Sequence, residues 1–133
     1  MKIEERLPLA LLLLRIGVFV VMLMWTLDKL VNPEHAAKVF QKYFFISGFQ
    51  SIAFNALGVI ELFVIIGFLI GYKKRWTYGI VLAAHAISTV FTFGNYLTPF
   101  SNLLYFAAWP MLAACFALYY LRDADTLLAI KKG

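Results

Sequence analysis

Four long apolar stretches dominate the chain, and short polar segments separate them. The stretches cover residues 7–30, 51–71, 76–93 and 102–121. A helix needs about 20 apolar residues to cross the ~30 Å hydrocarbon core of a bilayer, and each stretch is close to that length. The pattern therefore predicts an all-α membrane protein, a bundle of four transmembrane helices that forms a single domain over residues 1–133.

The connection between the first two stretches is long enough to carry a helix of its own. Asn32 can cap such a helix, Pro33 suits its first position and Glu34 favours its positive end. Over residues 33–47 the apolar side chains fall on one helical face and the polar ones on the other, and Gly48 then supplies a stop. We expect an amphipathic interfacial helix outside the cytoplasm, either folded over the bundle mouth or acting as a surface anchor without a ligand role.

The composition supports a membrane location. The chain has 133 residues, 63% of them hydrophobic, and a mean hydropathy of +0.83, which is more apolar surface than one small soluble core could hide. Met22 and Trp25 stand where a signal peptide would need small residues, so the first stretch is expected to stay attached. The single cysteine, Cys115, excludes an internal disulfide. His35 and His85 lie in different regions and no metal-binding motif occurs, so no metal site is predicted.

The net charge of +5 is distributed unevenly. The connection over residues 94–101 carries no charge, whereas basic residues concentrate in the two tails and in the second connection. The positive-inside rule then places both termini in the cytoplasm of a multi-pass protein. The basic excess indicates orientation and contact with anionic lipid, not nucleic acid. The basic residues in these regions are Lys2, Arg6, Lys73, Lys74, Arg75, Arg122, Lys131 and Lys132.

Three ionisable side chains interrupt the apolar stretches: Arg15, Glu61 and His85. Charge in hydrocarbon is costly, so such residues usually pair with one another or line a polar interior. From the stretch boundaries given above, helical rise places all three roughly 12 to 15 Å from the cytoplasmic surface, in one buried layer. Glu61 is expected to form an ion pair with Arg15, because an arginine in hydrocarbon requires an acceptor. The alternative is a protonated Glu61 that acts as a donor.

Helical spacing extends this polar interior along two stretches. On the third stretch His85 and Thr89 belong to a polar stripe, where His85 either contacts a ligand or proton path or makes a packing hydrogen bond. On the first stretch Lys29 shares the face of Arg15 and is expected to snorkel to the surface. Trp109 belongs to an aromatic stripe on the fourth stretch, which is typical of packing or of an interfacial belt.

Three segments together resemble the DoxX family of small four-span bacterial membrane proteins. The segment LLLLRIGVFVVMLMWTLDKL is similar to the family's opening helix, with an arginine in a leucine run and a lysine near the far end. The segment LGVIELFVIIGFLIGYKKRW resembles its glycine, acid and aliphatic pattern, and YLRDADTLL resembles its arginine-aspartate-leucine ending. The chain departs from the common pattern at Thr26, where a glycine often stands, and in its aromatic outer helix.

The resemblance implies a bacterial inner-membrane protein and, in some members, association with quinone-linked membrane oxidoreductases. We therefore expect an accessory subunit of such a system, with oxidoreductase partner subunits or a second copy of itself, that binds a quinone or membrane lipid in a polar intramembrane pocket. Two alternatives stand beside it: a proton-coupled transporter or relay, and a structural or assembly partner without ligand. No catalytic residue is assigned. The expected ligand-binding residues are Arg15, Glu61, His85, Thr89 and Trp109.

Overall fold

A computed structural model describes most of the chain. The described residues are 2–31, 34, 38, 51–91, 97, 100 and 106–129, and at residues 51–54 the description covers the backbone alone. Of the expected amphipathic helix, this part contains only positions 34 and 38, which are helical and exposed, and the remainder of residues 33–47 lies outside it.

Four α-helices account for nearly all of the described residues, and no strand occurs among them. They are α1 (Ile3–Val31), α2 (Ser51–Ile70), α3 (Lys74–Phe91) and α4 (Ala108–Tyr120), followed by a 3-10 helix, Arg122–Ala124. The predicted all-α class is confirmed for this part of the chain. Pro110 lies in the first turn of α4, where its missing N–H leaves no intrahelical bond unmade.

The reversal between α2 and α3 is a tight glycine-capped turn. Gly71 has φ +72°, and the Tyr72 N–H donates to the Gly67 carbonyl at 2.8 Å while the Gly71 N–H donates to the Phe68 carbonyl at 3.2 Å. This pair of bonds is a Schellman motif, which requires a residue in the left-handed region. The turn makes α2 and α3 antiparallel neighbours, as the short connection predicts.

The helices form a closed ring in which α1 packs on α2, α2 on α3, α3 on α4 and α4 on α1. The α1–α2 seam is closest at Gly58, where a Cβ atom would lie 2.9 Å from Leu30 Cδ2. Buried apolar side chains fill the centre of the ring. They are Leu11, Val18, Met22, Ile65, Phe68, Tyr78, Val81, Cys115 and Leu118.

Several polar and charged side chains are buried beside this apolar core, and many large apolar side chains are exposed. Arg15, Thr26, His85, Thr89 and Asp125 are buried with at most 2% of their surface exposed. Large apolar side chains cover the outer faces of the helices, whereas in soluble proteins such side chains are as a rule buried. The most exposed within the helices include Leu13, Val20, Met24, Ile60, Phe63, Val90 and Phe116.

Length and composition single out one helix as able to cross a membrane. Within the part of the chain that the structure describes, only Ile3–Val31 is both long and apolar enough. Asn55–Ile70 and Ala108–Tyr120 are apolar but shorter.

Candidate functional site: two interior polar clusters

The segment that follows α4 folds back into the bundle and meets the middle of α1. Arg15 Nη1 donates to Asp125 Oδ1 at 2.8 Å, and both side chains are at most 1% exposed. Arg15 Nη2 donates to the Leu127 carbonyl at 2.5 Å and to the Leu128 carbonyl at 3.3 Å. The segment after α4 thus supplies acceptors for both Nη atoms, whereas the buried Nε atom has no partner among the described residues.

Two residues of α3 complete this group, which we call the tail cluster: Arg15, Lys74, Tyr78 and Asp125. The Tyr78 hydroxyl donates to Asp125 Oδ2 at 2.5 Å, so both carboxylate oxygens are engaged. Lys74 Nζ, before the apolar part of α3, donates to the Arg122 carbonyl at 3.1 Å and to the Asp125 carbonyl. Burial lowers the pKa of Lys74 and nearby Arg15 acts in the same direction, whereas Asp125 and Asp123 oppose them.

A second polar group, the histidine cluster, lies farther along α1: Trp25, Thr26, Lys29, Glu61 and His85. Lys29 Nζ contacts both Glu61 carboxylate oxygens, at 2.9 and 2.8 Å, and the Thr26 hydroxyl donates to Glu61 Oε2 at 3.3 Å. This ion pair keeps some solvent or lipid access, because its side chains are 19% and 28% exposed. It joins α1 to α2 near the close approach at Gly58.

His85 links the same level of α1 to α4. Its Nε2 atom lies 2.9 Å from the Ala108 carbonyl oxygen, and its ring stacks on Trp25 with centroids 5.7 Å apart and planes 18° apart. The other ring nitrogen, Nδ1, is buried and has no hydrogen-bond partner among the described residues. Since a carbonyl oxygen only accepts, Nε2 carries the proton, and in the neutral ring Nδ1 is an acceptor.

Two further predicted site residues, Thr89 and Trp109, lie near His85 but do not enclose its side chain. Thr89 is buried and its hydroxyl donates to the His85 carbonyl oxygen at 2.8 Å, a common back-bond within a helix. Trp109 follows Ala108 in the first turn of α4 and is 47% exposed. Thr89 therefore supports the helix that carries His85, while Trp109 stands at the bundle surface.

The predicted ion pair between Arg15 and Glu61 is wrong. Arg15 pairs with Asp125, and Glu61 pairs with Lys29, which reaches inward and does not merely snorkel. The cause is a register difference, since Glu61 contacts Thr26, eleven residues beyond Arg15 and about 16 Å farther by helical rise.

The expected single layer is therefore two levels. Glu61 and His85 do lie at one level, because they contact the consecutive residues Thr26 and Trp25. Arg15 lies with Tyr78, two turns of α3 before His85. The depth estimate failed because the helix ends are not level: twelve residues of α1 precede Arg15, whereas four residues of α3 precede Tyr78 at the same level.

Sequence reasoning missed Asp125, the residue that completes the tail cluster. Four of the five residues in the segment RDADT are polar, so hydropathy marks it as an exposed tail. The signal that could have found Asp125 is the unpaired arginine itself, because a buried guanidinium demands a carboxylate.

Comparisons of the chain with models of known families, with curated proteins and with solved structures found no match. The functional argument therefore depends on the geometry described above.

Proposed function

We propose that the chain is a four-span integral membrane protein of DoxX type that binds a small amphiphile, a lipid or a quinone, between its helices. In this proposal the ligand binds at the histidine cluster, the tail cluster holds the helices together, and both termini are cytoplasmic. The protein acts as an accessory subunit of a membrane oxidoreductase system in the bacterial inner membrane.

The observation that carries the proposal is the combination of an apolar outer surface with buried ionisable groups. The outward side chains Val20, Ile60, Phe63 and Val90 are 52–74% exposed, a surface suited to hydrocarbon rather than water. Inside, a buried arginine, histidine and aspartate are held by hydrogen bonds. Intramembrane ionisable groups face the bundle interior in this way and mark functional sites by default.

The choice of the histidine cluster over the tail cluster follows from its greater exposure. Each cluster holds one buried nitrogen without a partner among the described residues, Arg15 Nε and His85 Nδ1. The Arg15–Asp125 ion pair is at most 1% exposed, however, and its remaining polar atoms are bonded. His85 keeps one buried nitrogen without a partner among the described residues, beside a partly exposed Lys29–Glu61 pair. A ligand headgroup would satisfy that nitrogen, with the apolar wall of Trp25 beside it.

The link to an oxidoreductase is supported by the sequence resemblance alone. The relay alternative has less support, because Glu61 is bonded to Lys29 and Thr26 while His85 is bonded to Ala108. The assembly-partner alternative is favoured by one observation, the fully buried Arg15–Asp125 pair of the tail cluster, which orders the helices without any ligand.

Native mass spectrometry of the detergent-extracted protein tests the proposal directly. The parent chain should retain one class of lipid or quinone, and His85→Phe should lose it while remaining folded, since a similar ring fills the space. Tyr78→Phe is the matched control, because it removes one hydroxyl from the tail cluster and leaves the histidine cluster intact. Parent protein that retains no amphiphile under conditions where its fold survives would favour the assembly role.

A further inference from the structure

We propose that the ligand of the histidine cluster is a neutral amphiphile with a hydroxyl group, and that this hydroxyl donates its proton to His85 Nδ1. The inference rests on the proposed function and narrows it: a lipid alcohol fits this position, and a headgroup that offers only carbonyl oxygens does not.

The argument begins with the tautomer of His85. Nε2 faces the Ala108 carbonyl oxygen at 2.9 Å, and this contact is a hydrogen bond only if Nε2 carries the proton. In a neutral imidazole the second nitrogen then has a lone pair and no proton. Nδ1 is thus an acceptor, and its partner must supply an O–H or N–H group.

The neighbours of the ring leave this lone pair without a donor. Trp25 stacks on the ring at an interplanar angle of 18°, so it covers a face, whereas the lone pair of Nδ1 lies in the ring plane. The Thr89 hydroxyl donates to the His85 carbonyl oxygen. His85 is only 2% exposed, so bulk solvent does not substitute for a partner.

Leaving a buried acceptor without a donor costs free energy, and native proteins rarely tolerate it. A bound group that donates would remove the cost, which makes Nδ1 a specific recognition point in a largely apolar seam. A carbonyl or ether oxygen at the same place would bring two acceptors together and would be rejected.

The charge state of the ligand follows from the same cluster. The Lys29 ammonium and the Glu61 carboxylate neutralise each other at 2.8 Å, so the pair offers no net charge to a ligand ion. A carboxylate or ammonium ligand would have to break this pair. A neutral alcohol requires no such change. Its apolar chain can lie along the exposed apolar surface beside Trp25, which is 45% exposed.

Oleyl alcohol and oleyl methyl ether provide the test, because a methyl group in the ether replaces the hydroxyl proton of the alcohol. Each is added to the delipidated full chain in detergent, and binding is followed by native mass spectrometry and by thermal unfolding. The parent should bind the alcohol about tenfold more tightly than the ether. His85→Phe should bind both equally, and His85→Asn, which keeps an acceptor near the Nδ1 position, should retain part of the preference.

Each outcome separates the inference from the proposed function. Equal binding of alcohol and ether by the parent overturns the hydroxyl inference, with an ordered water as the donor to Nδ1, and leaves amphiphile binding standing. A preference for the alcohol that survives in His85→Phe also overturns the hydroxyl inference, because a group other than His85 then recognises the hydroxyl. No binding of either compound, together with no co-purified lipid or quinone, overturns both proposals.

Discussion

Arg15 and Asp125 lie 110 positions apart in the chain and form an ion pair of 2.8 Å that is closed off from the surroundings. The arginine belongs to the first helix, and the aspartate follows the last. A short polar tail, rather than a neighbouring helix, neutralises the charge inside the bundle. This relationship makes the tail a part of the fold.

Removal of the aspartate should be strongly destabilising. Asp125→Asn leaves the Arg15 charge buried without its counterion, and breaking a buried pair in this way costs about 3 to 5 kcal/mol. Thermal unfolding in detergent measures the loss. Asp123→Asn is the matched control, because Asp123 is the same residue type, two positions earlier, and exposed.

The double variant Arg15→Met with Asp125→Leu should recover a large part of the stability lost by Asp125→Asn alone. Apolar side chains of similar volume frequently replace a buried ion pair without net cost. If the losses measured for Arg15→Met and Asp125→Leu singly add up to the loss of the double variant, the result would argue against direct pairing.

The Lys29–Glu61 pair should matter less for stability than the Arg15–Asp125 pair. Its side chains are 19% and 28% exposed, so surroundings of higher dielectric screen the interaction. Glu61→Gln should cost on the order of 1 kcal/mol, because the amide still accepts a bond from Lys29. The same unfolding assay ranks the two variants, and an equal or larger loss for Glu61→Gln than for Asp125→Asn would contradict this order.

Two glycines offer a matched test of the α1–α2 seam. At Gly58 a Cβ atom would lie 2.9 Å from Leu30 Cδ2 and 3.0 Å from its Cγ, so Gly58→Ala should separate the helices at a cost of about 1 to 3 kcal/mol. At Gly17 a Cβ atom meets nothing within 4 Å, and Gly17→Ala should be neutral or stabilising by about 0.5 to 1 kcal/mol. Thermal unfolding of both variants decides the matter, and a harmless Gly58→Ala would show that the seam is loose.

The orientation of the chain should follow its basic residues. If the proposed four-span topology holds, a reporter fused after Gly133 is active only in the cytoplasm and one inserted near Gln41 only outside, because Lys73, Lys74 and Arg75 cluster where α2 joins α3. Replacing these three residues by glutamine should weaken the bias and yield mixed reporter activity. Reporters with the opposite pattern in the parent chain would reverse the topology.

Hydropathy alone predicted the elements but not their alignment. Each of the four apolar stretches contains a helix. The axial offset between α1 and α2 could not be read in this way, because it depends on where each helix begins and on contacts such as Gly58 with Leu30. Depths counted from assumed helix ends therefore matched Arg15 with the wrong acid.

The candidate site was predictable to the extent that it depends on one helix at a time. His85 and Thr89 were expected on one stripe of α3, and both are buried there. The proton on Nε2 could not be foreseen, since it depends on a backbone carbonyl of α4 that lies 23 positions away. The pattern of side chains along the sequence does not show which backbone carbonyl will accept a hydrogen bond.

The closing of the tail onto Arg15 also sets an order of events in synthesis. A ribosome adding about 5–20 residues per second completes Asp125 on the order of 10 s after Arg15. In the proposed membrane setting, the first helix must enter the bilayer with its guanidinium still lacking a counterion. A chain that stops before Asp125 keeps this charge without the counterion that the folded chain supplies.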